Sequence, residues 1–143
     1  MRSMSWPILI SIVFIISLCL FACSPSAEQE NVTVDCEDFT KVNHLKHEVT
    51  VAVDDSLTVT LCSNPSTGFQ WGESAQISDQ AVLEQLSYKY EAPEGDVPGA
   101  PGLAVWTFQA LGKGHAIVSM EYSQPWEDGI KAEWTFDLTV TVK

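Results

Sequence analysis

Trp134-Thr135-Phe136-Asp137-Leu138-Thr139-Val140-Thr141-Val142 sets an apolar side chain at every even position and a polar one at every odd position. Successive side chains of an extended strand point to opposite faces, so a period of two describes a strand with one face on a core and one in water. The threonines and valines supply the β-branched bulk that packs well on a pleated surface. The same pattern recurs toward the N-terminus. Leu57, Val59 and Leu61 oppose Thr58 and Thr60, and Val49, Val51 and Val53 share a face. Val32–Glu37, Val82–Glu91, Leu103–Ala110 and His115–Tyr122 read as further strands, divided by turn signals such as Asp54-Asp55-Ser56 and Gly112-Lys113-Gly114. No segment sustains a helical period. Each strand has one face to bury, so about seven short antiparallel strands predict an all-β, two-sheet sandwich.

The N-terminus reads differently. After Met1, Arg2 and Ser3, an apolar run extends from Ile8 to Ala22, broken only by Ser11 and Ser17. A membrane-spanning helix needs about 20 apolar residues, whereas a basic start and a shorter apolar core ending in a small residue suit a secretory signal peptide. The run closes in Leu20-Phe21-Ala22-Cys23, which resembles the bacterial lipobox. That resemblance implies residues 1–22 as a lipoprotein signal peptide and Cys23 as the lipidated mature N-terminus. The domain would then be exported and anchored to a membrane of the cell envelope. Ser24 after the cysteine suits outer-membrane sorting if the cell is Gram-negative. A plain signal peptide that happens to contain a cysteine is the alternative. Polar Ser24–Asn31 completes a flexible tether (23–31), and 32–143 forms the folded domain.

About 120 residues remain after the signal, enough for one core and too few for two. They hold six lysines and no arginine against nineteen acidic residues, a formal charge of −13. A phosphate backbone would be repelled, which argues against nucleic acid as a partner. Cys36 and Cys62 are disulfide partners in an oxidising compartment, or else two buried thiols. His44 and His47 have a spacing that suits a helix face rather than the strand expected there, so no metal site follows. Ser66 lacks the flanking pattern of a nucleophile elbow, and His115 falls within a strand. The chain reads as a non-enzyme, without cofactor or metal, and as a monomer.

Three loops between predicted strands carry the remaining information. In Asn64-Pro65-Ser66-Thr67-Gly68-Phe69 the proline fixes its own φ, restricts Asn64, and leaves Gly68 to make a left-handed turn. Val97-Pro98-Gly99-Ala100-Pro101-Gly102 offers much backbone and little side chain. Gln124-Pro125-Trp126 presents an indole after a proline, either as a binding anchor or folded back as a cap on the sandwich.

Together these loops resemble the chagasin-like family of papain-type cysteine-peptidase inhibitors. That family carries Asn-Pro-Thr-Thr-Gly-(Phe/Tyr), a Gly-x-Gly-Gly loop and Arg-Pro-Trp, in that order, on an immunoglobulin-like sandwich. The counterparts here are Asn64–Phe69, Gly99-Ala100-Pro101-Gly102 and Gln124-Pro125-Trp126. The resemblance implies a reversible, non-covalent wedge, with Ser66 and Thr67 at the catalytic Cys/His pair, Gly99–Gly102 along one wall and Trp126 on the other side. Three positions depart from the pattern. Ser66 keeps a hydroxyl, Pro101 replaces a glycine, and Gln124 stands where arginine is usual, which implies the loss of a charge-assisted hydrogen bond. The rival reading is a tethered immunoglobulin-like structural or adhesion module with no peptidase target. The two are separated by whether the three loops meet at one end of the fold.

Overall fold

The computed structural model describes residues 27–95 and 97–143. The expected signal peptide, Cys23 and the first part of the expected tether lie outside the described residues. Nine strands are present among the described residues: β1 (Gln29–Val34), β2 (His44–Val51), β3 (Ser56–Ser63), β4 (Gln70–Trp71), β5 (Gln76–Ile77), β6 (Leu83–Glu91), β7 (Gly102–Ala110), β8 (Gly114–Ser123) and β9 (Trp134–Val142). One sheet has the order β1-β3-β7-β6, the other β2-β9-β8-β4 with β5 also on β8. The expected sandwich is present, with two departures from a purely antiparallel arrangement: β1 pairs with β3 and β2 with β9 in parallel. Alternation reports which face of a strand is buried, not its direction or partner.

The alternation itself is followed closely. Phe136, Leu138, Val140 and Val142 are buried along β9, as are Leu57, Val59 and Leu61 along β3. Trp71, Trp106, Phe108 and Phe136 are the largest fully buried side chains. Buried indoles need a partner for their N–H. Trp71 Nε1 donates to the Cys62 carbonyl at 2.8 Å and Trp106 Nε1 to the Glu73 carbonyl at 3.1 Å.

The N-terminal segment corrects the sequence reading. β1 begins at Gln29, three residues inside the stretch assigned to the tether, and ends at Val34 rather than Glu37. Its polar residues fit because it is an edge strand, with Val34 its one fully buried side chain. The chain then turns into a four-residue helix, α1 (Cys36–Phe39), capped by Asp35 Oδ1, which accepts from the Asp38 N–H at 2.8 Å. The helix carries Phe39 into the core and sets Cys36 against Cys62, and the two are disulfide-bonded with their Cα atoms 4.9 Å apart.

Register places the loops. Ser63, the last residue of β3, pairs with Gly102, the first of β7, and Gln70 of β4 pairs with Ser123, the last of β8. The first loop therefore leaves one sheet and enters the other, bordered by the second loop on one side and the third on the other. At the opposite pole lie Glu28, whose N–H donates to Asp55 Oδ1 at 2.9 Å, and Lys143, whose N–H donates to the Val51 carbonyl at 3.0 Å.

Candidate functional site

The first loop, 64–69, is a stiff turn built on its own side chains. Pro65–Thr67 forms a single turn of 3-10 helix, closed by the Gly68 N–H on the Pro65 carbonyl at 3.0 Å, with Gly68 at φ 85°. That left-handed conformation is the one the sequence anticipated for a glycine. Asn64 organises the rest. Its carbonyl accepts from the Thr67 hydroxyl at 2.7 Å, and its side-chain Oδ1 accepts from the Ser66 hydroxyl at 2.6 Å. Both hydroxyl protons are thus committed inside the loop, Thr67 Oγ1 also accepts the Phe69 N–H at 3.4 Å, and both residues remain exposed.

Below the turn sits an aromatic cluster. Tyr122 packs on Phe39, Phe69, Trp71 and Trp134, with ring centroids 5.0 to 5.9 Å apart. Its hydroxyl accepts the Asn64 N–H at 2.8 Å, so the core holds the root of the loop directly. Phe69, expected at the partner surface, is instead half-buried and packs against Tyr122 and Trp134. Its place is that of an anchor.

The second loop is tied to the first by Asn64 Nδ2, which donates to the Gly99 carbonyl at 2.8 Å. Gly99 takes φ 78°, and a Cβ there would come within 3.9 Å of Ser66 Oγ. Gly102 does not belong to the exposed edge. It is buried at the start of β7, where a Cβ would lie 2.3 Å from the Glu91 carbonyl and 2.6 Å from the Tyr90 hydroxyl. The requirement for glycine at this position is one of packing. Pro101 and Gly99 are exposed, and Ala100 is half-buried.

The third loop closes on itself. The Gln124 N–H donates to the Ile130 carbonyl at 2.8 Å, and Gln124 Oε1 accepts the Ile130 N–H at 2.9 Å. Gln124 is therefore engaged within its loop. Trp126 is 50% exposed and lies against the first loop, where a Cβ on Gly68 would stand 3.1 Å from its Cη2. The indole does not cap the core. Gly129 and Lys131, which no motif singled out, complete the loop: a Cβ on Gly129 would fall 2.6 Å from Gln124 Cβ and 2.9 Å from Trp126 Nε1, and Lys131 donates to two loop carbonyls.

The three loops therefore meet at one end of the sandwich, joined by the Asn64–Gly99 hydrogen bond and the Gly68–Trp126 contact. The histidines are elsewhere: His44 Nδ1 pairs with the Thr135 hydroxyl at 2.9 Å, His115 Nδ1 with the Thr141 hydroxyl at 3.1 Å, and His47 packs on Phe136. Among the described residues no group of three or more His, Cys, Asp or Glu side chains is arranged to hold a metal ion.

Against known proteins, residues 50–140 match the sequence profile described as "Chagasin family peptidase inhibitor I42". The chain belongs to the chagasin family. Chagasin of Trypanosoma cruzi is 30% identical over 81 residues, 54% of this chain and 73% of chagasin. Amoebiasin-2 of Entamoeba histolytica is 29% identical over 79 residues, 55% of this chain; the match spans 63% of amoebiasin-2, under two thirds of its length. Solved structures share the fold. The cysteine protease inhibitor EhICP2 from Entamoeba histolytica superposes with a TM-score of 0.63 at 20% identity, covering 84% of this chain and all of that one. PbICP-C, solved in complex with falcipain-2, superposes with a TM-score of 0.59 at 13% identity, covering 80% of this chain and 99% of that one. The matched span contains all three loops of this family member, so the sequence likeness and the loop convergence concern the same end of the molecule.

Proposed function

We propose that this chain inhibits papain-family cysteine peptidases reversibly, by inserting the 64–69 turn into the active-site cleft with Gly99–Pro101 and Trp126 on either side. The observation that carries this reading is the convergence of the three loops into one rigid edge, in a member of a peptidase-inhibitor family. A peptidase acts on an extended strand held in attack geometry at its nucleophile. Pro65–Thr67 is wound into a 3-10 turn, so its peptide bonds are withheld from that geometry while the turn fills the space. Because Ser66 and Thr67 spend their protons on Asn64, they meet the enzyme as acceptors, suited to a protonated catalytic histidine or a backbone N–H. The internal hydrogen bonds and Pro65 also reduce the entropy lost on docking, which favours tight binding by a small edge.

Pro65, Ser66, Thr67, Gly99, Pro101, Pro125 and Trp126 are the exposed members of the edge. Asn64, Gly68, Phe69, Ala100, Gly102 and Gln124 shape or support it.

The proposal extends to an exported, lipid-anchored monomer. Its support is the Cys23 lipobox together with the position of Glu28, at the pole opposite the three loops. A tether entering there leaves the inhibitory edge facing away from the membrane. The test is titration of papain and of a cathepsin L-type peptidase with the full chain in detergent, for wild type and Trp126→Ala. Tight reversible inhibition, weakened by the substitution, is expected. A folded chain that inhibits neither enzyme would leave the tethered adhesion module as the better reading.

A further inference from the structure

We infer that Lys131 is the positioning residue of the third loop, its ammonium clasping the carbonyl oxygens on either side of Pro125 and thereby fixing where Trp126 stands. The inference rests on the reading of the three loops as the inhibitory edge. Lys131 Nζ lies 2.6 Å from the Gln124 carbonyl oxygen and 2.5 Å from that of Trp126. These carbonyls flank a proline that has no N–H to offer; the Gly129 N–H reaches that of Trp126, but no backbone donor among the described residues bonds that of Gln124 or joins the two. Two carbonyl oxygens brought together repel unless a donor lies between them, and a cationic donor is the stronger kind.

The surroundings assign the lysine this task and no other. Lys131 is exposed, so core packing does not place it, and among the described residues its ammonium forms no ion pair. The remaining bonds of the loop run between Gln124 and Ile130, and from the Gly129 N–H to the Trp126 carbonyl at 3.1 Å. They close the ends of the loop and give the Trp126 carbonyl one backbone donor, leaving the Gln124 carbonyl, and its link to that of Trp126, to the lysine. The Trp126 indole has no hydrogen-bond partner of its own among the described residues and lies between Gly68 and Gly129, two glycines without side chains to grip it, so its direction depends on how its backbone is held. Glu127 and Asp128, the acidic pair beside it, are exposed and bonded to neither carbonyl.

The experiment uses the full chain in detergent, as wild type, Lys131→Met and Lys131→Arg, each also combined with Trp126→Ala. Two readouts are taken: the inhibition constant for papain, and the order of the Trp126 indole N–H in the free protein by nitrogen-15 relaxation. Lys131→Met is expected to weaken inhibition about tenfold, the scale of losing charge-assisted hydrogen bonds, and to loosen the indole, with Lys131→Arg restoring most of both. In the Trp126→Ala background the same substitution should change inhibition little, because a positioning residue acts through the group it positions. An equal loss in both backgrounds, or an indole as ordered in Lys131→Met as in wild type, overturns the inference. If the wild-type chain does not inhibit papain, the proposed function falls and the indole readout alone decides the clasp: a loosened indole supports it, an unchanged one refutes it.

Discussion

Replacing Asn64 by aspartate changes one donor into an acceptor in a side chain that links two loops. Asn64 Nδ2 donates to the Gly99 carbonyl at 2.8 Å, while Oδ1 accepts from Ser66. Aspartate keeps the second bond and sets a carboxylate oxygen against the Gly99 carbonyl in place of the first. Losing a hydrogen bond costs about 1 kcal/mol net. The opposed oxygens add to that, and a second loop no longer tied to the first must be ordered on docking, at about 0.5 to 1.5 kcal/mol per immobilised side chain. The expected total is about 1.5 to 2.5 kcal/mol, or a papain inhibition constant raised roughly 10- to 60-fold. Stability should fall less, because the Asn64 N–H keeps its bond to the Tyr122 hydroxyl and the aromatic cluster is untouched. Papain titration paired with thermal unfolding separates the two effects, and Asn64→Ala, which removes both side-chain bonds without the repulsion, serves as control. An aspartate variant that inhibits as well as wild type would show that the link between the loops contributes nothing to binding. A loss fully matched by a fall in melting temperature would place Asn64 in global stability instead.

Trp126→Ala should cost at least about 2 kcal/mol of binding, as truncation of a half-exposed interface aromatic does. Its melting temperature should hold, since the indole stands outside the core; a large fall would revive the capping role. Gln124→Arg is expected to weaken papain inhibition, contrary to what a missing charge would suggest, because arginine offers the Ile130 N–H no acceptor and adds a cation beside Lys131; tighter inhibition would contradict the loop geometry. Reducing the Cys36–Cys62 bond, or making Cys62→Ser, should lower stability by about 3 to 4 kcal/mol in the chain-entropy view, measured by denaturant unfolding with and without reductant; an unchanged midpoint would show that β1 and α1 are held by packing alone.

Much of the edge was legible from residue types whose meaning is local. Pro65 and Gly68 announced a stiff turn because their backbone preferences act within one or two residues. The burial of other motif residues was not legible, because it depends on residues outside the motifs. Phe69, Gly102 and Gln124 belong to the three motifs, yet their surroundings come from outside them: Tyr122 and Trp134, Tyr90 and Glu91, and, within the third loop, Ile130. Lys131 and Gly129 carried no signal beyond a surface lysine and a turn glycine. Tyr122 entered only as the last residue of the expected strand His115–Tyr122, with nothing to say that its hydroxyl reaches Asn64.

The sequence by itself determined seven of the nine strands, their buried faces, the two-layer fold and the three motif loops, because alternation, turn chemistry and motif order are properties of the chain, whereas the two-residue strands β4 and β5 are too short to show alternation. Only the tertiary structure decided the parallel pairings of β1 and β2, the start of β1 within polar residues, the disulfide, and the division of the loop residues into those that face outward and those that hold them. Partners, directions and buried acceptors arise from contacts between segments far apart in sequence, and the order of residues along one strand of chain does not encode them locally.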